Sequence, residues 1–107
     1  MNWNEENIIN IFAKMASDGW NTDKPLKWGF FFFSQDEENL KLIFSELSDY
    51  GYDIESLHQI EDGNWVLQVS KTEILKSDKL HRRNIAFNEL AEAYNSIYDG
   101  WDVEKSV

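Results

Sequence analysis

Residues 26–33 read Leu26-Lys27-Trp28-Gly29-Phe30-Phe31-Phe32-Phe33. Beyond Gly29 the apolar residues stand on both parities, so an extended chain here has no polar side to offer water. A strand without alternation is expected at the centre of a sheet, covered on both faces. Phe30 to Phe33 is also the longest uninterrupted apolar run in the sequence. It is far shorter than the ~20 residues a membrane-spanning helix requires.

C-terminal to this strand, Ser34 and Glu37 have capping-box spacing. The helix they would open carries Leu40, Ile43, Phe44 and Leu47 on one side and ends before Gly51. Tyr52 to Ile60 reads as a strand, with Tyr52, Ile54, His58 and Ile60 on one parity and Asp53, Glu55, Leu57 and Gln59 on the other. Glu61-Asp62-Gly63-Asn64 is a hairpin signal, and Trp65 to Ser70 is the partner strand, with Trp65, Leu67 and Val69 sharing a face. Ser77 or Asp78 would cap a third helix with the stripe Leu80, Phe87, Leu90, Ala91 and Tyr94, and a last strand runs roughly over 96–103. N-terminal to the opening strand, Asn21 to Pro25 is a polar connection. Before it, Asn4 to Ser17 shows helical spacing at Ile8, Ile11, Phe12 and Met15, with Gly19 placed to stop the helix.

The order is one helix followed by β-α-β-β-α-β. The fold class expected is α+β, a ferredoxin-like antiparallel sheet with an additional N-terminal helix, spanning 1–107 as a single acidic domain. Two helices cover only one face of such a sheet. The other would carry part of the Trp28 and Phe30–Phe33 surface, and helix 1 is expected to lie over it in part, because its own apolar stripe needs burial.

Twenty acidic residues stand against ten basic ones, a formal net charge of −10. Such a field repels phosphate backbones and anionic membranes and attracts basic proteins. Direct nucleic-acid binding is therefore not expected. The aromatic-basic signature of an RNA-binding sheet is also missing, since only Lys27 stands near Phe30–Phe33. The one basic stretch, Lys71, Lys76, Lys79, Arg82 and Arg83, is opposed by Glu73 and Asp78 and reads as a solvated helix start. There is no cysteine, hence no thiolate ligand, nucleophile or disulfide. Met1 to Asn10 lacks the pattern of a secretory signal, so the expected compartment is the cytoplasm.

Catalytic chemistry finds little material. His58 sits on the parity read as inward, and His81 lies beside Arg82 and Arg83. Asp36, Glu37 and Glu38 belong in a helix first turn for dipole reasons. Asp99 and Asp102 flank Gly100 and Trp101 without a third ligand at a metal-binding spacing. The expectation is a protein that is not an enzyme and uses no cofactor and no metal.

The tetrapeptide Tyr98-Asp99-Gly100-Trp101, after an amphipathic helix rich in Leu and Ala, resembles the C-terminal signature of the regulator of ribonuclease E activity B family. Asp18-Gly19 and the segment from Ser34 to Tyr50-Gly51-Tyr52-Asp53 resemble that family in the same order, so the similarity covers roughly residues 8 to 104. It implies an acidic, ferredoxin-like protein that inhibits an endoribonuclease by binding it. The sequence ends at Val107 without the long acidic tail expected of the family.

Together, charge and resemblance lead to a non-catalytic protein that binds and blocks a nuclease, most simply a ribonuclease. Its small size and missing tail favour an immunity protein neutralising a bacterial toxin nuclease. Regulation of a housekeeping endoribonuclease such as ribonuclease E is the first alternative, and a structural or interaction domain the second. An enzyme using His58 or the Asp99–Asp102 pair belongs to a third class. Partner contacts are expected in one of two groups toward opposite edges of the sheet. The first is Asp53, Glu55, Glu61 and Asp62 with Trp65; the second is Asp99, Asp102 and Glu104 with Trp101.

Overall fold

The computed structural model describes residues 5–104. They form α1 (Glu5–Ser17), β1 (Leu26–Ser34), α2 (Glu37–Ser48), β2 (Asp53–Gln59), β3 (Trp65–Glu73), α3 (Ser77–Ala93) and β4 (Ile97–Glu104). Asn4, the expected start of the first helix, lies outside the described residues. The four strands make one sheet in the order β2-β3-β1-β4, with every neighbouring pair antiparallel. β1 is central, as its lack of alternation implies.

The even-numbered side chains of β1 build the core. Trp28, Phe30 and Phe32 are fully buried, flanked by Leu67 and Val69 from β3 and by Tyr98 from β4. Phe87 of α3 drops among them, its ring 5.0 Å from Phe30, 5.6 Å from Phe32 and 5.7 Å from Tyr98. Leu40, Ile43 and Leu47 of α2 complete this layer.

α1 packs on the same side. Phe12 stacks on Trp28 at 5.8 Å with the rings 13° apart, and Trp28 shares its parity with Phe30 and Phe32. The expectation that α1 covers the second face is therefore overturned. Strand length supplies the reason. β1 and β3 are nine residues each, about 30 Å of sheet, whereas the twelve residues of α2 span only ~18 Å. The Trp28 end of the same face is left for a third helix, and Trp101 tilts against Trp28 there at 5.6 Å.

Two caps differ from their sequence reading. Ser34 ends β1 and its Oγ accepts from Asp36 N–H, so Asp36 caps α2, its carboxylate accepting from Glu38 N–H at 3.0 Å. α3 is preceded by Lys76, which makes no side-chain cap bond, and Ser77 and Asp78 are already helical. All three helices stop alike: the amides of Trp20, Tyr52 and Ser96 reach back five residues to Met15, Leu47 and Ala91. The residue before each has positive φ, Gly19, Gly51 and Asn95.

Both outer strands carry a bulge. In β2 the register slips between Ile54 and Ser56, leaving Glu55 unmatched. In β4 it slips where Phe31 faces Gly100 and Phe32 faces Tyr98, leaving Asp99 unmatched. An inserted residue switches the side to which the following residues point. His58 consequently faces away from the helices and is exposed, where unbroken alternation had put it inward. Leu57 takes the inward place beside Leu67.

Candidate functional site: the helix-free face of the sheet

The odd parity of β1 carries Lys27, Gly29, Phe31 and Phe33, and the strand register assigns their neighbours on this face. The row through Phe33 runs His58, Val66, Phe33, Ile97, and the row through Gly29 runs Asp53, Ser70, Gly29, Asp102. No described helix covers these rows, so β1 is covered on one face and bare on the other. The Phe33 end is apolar. Phe31 and Phe33 are half-buried by their neighbours in the sheet, and Ile97 is 65 % exposed.

The other end is charged. Lys27 Nζ lies 2.8 Å from Glu55 of β2 and 3.3 Å from Glu104 of β4, tying the two outer strands across the middle of the sheet. Ser70 Oγ donates to Glu55 at 2.6 Å. The bonds from Lys27 and then Ser70 hold the Glu55 carboxyl below its ordinary pKa, and Glu55 followed by Glu104 raises that of Lys27. Asp102 differs. Among the described residues it has no hydrogen-bond or ion-pair partner, and it lies over Gly29 so closely that an added Cβ there would overlap its Oδ1. Although the residue counts as exposed, desolvation of the carboxyl against the sheet raises its pKa. Glu104 adds to that shift and Lys27 opposes it.

The structure thus regroups the residues read from sequence. Asp53 and Glu55 from one edge and Asp102 and Glu104 from the other share a single face. Glu61 and Asp62 sit in the β2–β3 turn, roughly 20 Å along the strand from Asp53. Asp62 is occupied there, accepting from the amide and side chain of Asn64 at 2.9 and 3.0 Å. Trp65 and Trp101 lie on the helix-covered side, half-buried against the core. Asp99 is the half-buried bulge residue. Sequence reading missed Phe31, Phe33, Val66 and Ile97 as one surface, and Gly29 as the seat of Asp102. The parity of Lys27, Gly29, Phe31 and Phe33 was the available signal for half of this, but the bulges hid which residues of β2 and β4 join them.

The tetrapeptide 98–101 has a structural account: Tyr98 and Trp101 pack into the core, Asp99 forms the bulge, and Gly100 has φ 115°. His58 and Asp102 are four residues apart along β1 and three strands apart across the sheet, about 19 Å, too far to act on one substrate atom. Among the described residues no three His, Asp or Glu side chains are grouped so as to hold a metal ion. No helix among them is long and apolar enough to cross a membrane. The basic stretch is locally matched, Arg83 with Glu73, Arg82 with Asp78 and Lys76 with Asp23.

The fold and this face define an acidic α+β protein with one side of its sheet open to contact. Its sequence matches the family model for regulator of ribonuclease activity B over residues 5–103, and the chain belongs to that family. No curated protein matches it. Family membership supports ribonuclease regulation and gives no support to the expected immunity role. Small size and negative charge suit any protein that meets a basic nuclease, so they could not separate the two.

Proposed function

We propose that this protein restrains a cytoplasmic endoribonuclease of the ribonuclease E type by binding it, with no chemistry of its own, and that the helix-free face makes the contact. One observation carries the reading: in a regulator of ribonuclease activity, the apolar row of the helix-free face adjoins four carboxylates offset by a single lysine. A second copy of the chain is disfavoured as the occupant, because two such faces would oppose like charges. A basic protein surface is suited to it, and ribonucleases are basic where they hold RNA. The interleaved order, β1 and β3 inside with β2 and β4 outside, also supports reading the sheet as ferredoxin-like.

The test is RNA cleavage by purified ribonuclease E with and without the protein. Wild type should slow cleavage, and the double variant Phe33→Ala/Ile97→Ser should need about tenfold more protein for the same effect, as expected for loss of a central apolar anchor. Leu42→Ser, of similar exposure on α2, should behave as wild type. If wild type leaves cleavage untouched, the regulatory reading is wrong. If the double variant inhibits normally, the contact lies elsewhere.

A further inference from the structure

Building on that reading, we infer that Asp102 receives an arginine guanidinium from the partner, laid along Phe31 and forked onto a carboxylate that Gly29 seats against the sheet. The two carboxylates nearest Lys27 are already engaged. Lys27 takes both Glu55 and Glu104, and Ser70 adds to Glu55. Asp102 has no hydrogen-bond or ion-pair partner among the described residues, and it is the carboxylate that Gly29 seats against the sheet. A carboxylate held partly out of water without a countercharge is unfavourable, and an incoming cation relieves it.

The surroundings select arginine over lysine. Gly29 brings no side chain between Asp102 and the sheet, so the carboxylate lies low beside the next odd residue of β1, Phe31. Phe31 is paired across the sheet with Gly100, which itself brings no side chain against the ring. An aromatic face next to a carboxylate suits a planar, weakly hydrated guanidinium, which stacks and forks at once. An ammonium can use only the charge. The Gln68 side-chain amide, 3.6 Å from the point an added Cβ at Gly29 would occupy, closes the side toward β3.

Two measurements test this. In the first, the isotope-labelled full chain is titrated with N-acetyl-arginine amide and separately with N-acetyl-lysine amide, followed by backbone NMR. Arginine should move the signals of Gly29, Phe31 and Asp102 several-fold more than lysine does, and Asp102→Asn should abolish the difference. Equal shifts with the two probes, or shifts that survive Asp102→Asn, overturn the inference. In the second, ribonuclease E inhibition by Asp102→Asn should weaken about tenfold, the size of a buried charge-assisted contact. Gly29→Ala, which displaces the carboxylate without changing charge, should weaken it similarly, while Glu89→Gln on α3 should not. If wild type and Asp102→Asn inhibit alike, the arginine site falls and the regulatory reading stands. If arginine binds at Asp102 but wild type does not inhibit, the site stands and ribonuclease E falls.

Discussion

Tyr98 donates its hydroxyl proton to Asn84 Oδ1 at 2.6 Å, and both side chains are shut off from water. Burial pushes the Tyr98 hydroxyl pKa far up, so it stays a donor. The Asn84 Nδ2 has no partner among the described residues. Tyr98→Phe would therefore leave both ends of a buried amide unmatched, and urea unfolding should show a loss of about 1–3 kcal/mol. Adding Asn84→Leu should recover part of it. Asn84 was legible in principle, since it falls between Leu80 and Phe87 at helical spacing, but a polar residue on an apolar stripe is easily passed over. Asp102 carries the opposite lesson. Its pKa is raised in the folded state, so the folded protein holds that proton more tightly than the unfolded chain. The contribution favours folding below the ordinary aspartate pKa and is lost as pH rises through the raised value. At neutral pH the ionised carboxyl then opposes folding. Asp102→Asn should melt at a higher temperature than wild type at pH 7, with the gap closing in acid, while the same variant loses affinity for its partner.

Within β1, four consecutive phenylalanines do two different jobs. Phe30 and Phe32 are fully buried beneath α3, and replacing either with alanine should cost about 3–5 kcal/mol, a large share of a small domain's stability. Phe31 and Phe33 are half-buried on the bare face, and alanine there should cost only about 1 kcal/mol by urea unfolding. A uniform cost across all four would contradict the assignment of faces. Sequence showed the strand and its central position, because those follow from local composition. It did not show that one side is uncovered, since that depends on where α1 docks, and α1 docks where Phe12 can stack on Trp28. Nor could alternation in β2 be carried past Glu55. A bulge is set by pairing with β3, so His58 and Leu57 exchanged their expected sides. The same limit explains the site. Asp53 and Asp102 were visible as charges, but their common facing was not, and Trp65 and Trp101 face the core.

The molecule as a whole carries ten more negative than positive charges, and its bare face keeps the same sign with Lys27 as its only lysine or arginine among the described strands. Association with a basic partner should be fast at low ionic strength. Raising salt from about 0.05 to about 0.5 M shrinks the screening length severalfold, and the association rate measured by stopped flow should drop by roughly an order of magnitude. Dissociation should change far less if the apolar row makes the contact, because burial of apolar surface is little screened by salt. There remains the matter of how an exposed sheet avoids its own kind. A strand joining from outside needs an unbroken series of amides and carbonyls in step, and each rim of this sheet is interrupted by a bulge at an acidic residue, Glu55 on one and Asp99 on the other. The protein can therefore keep its broad side uncovered while each of its two rims offers an added strand only a broken ladder.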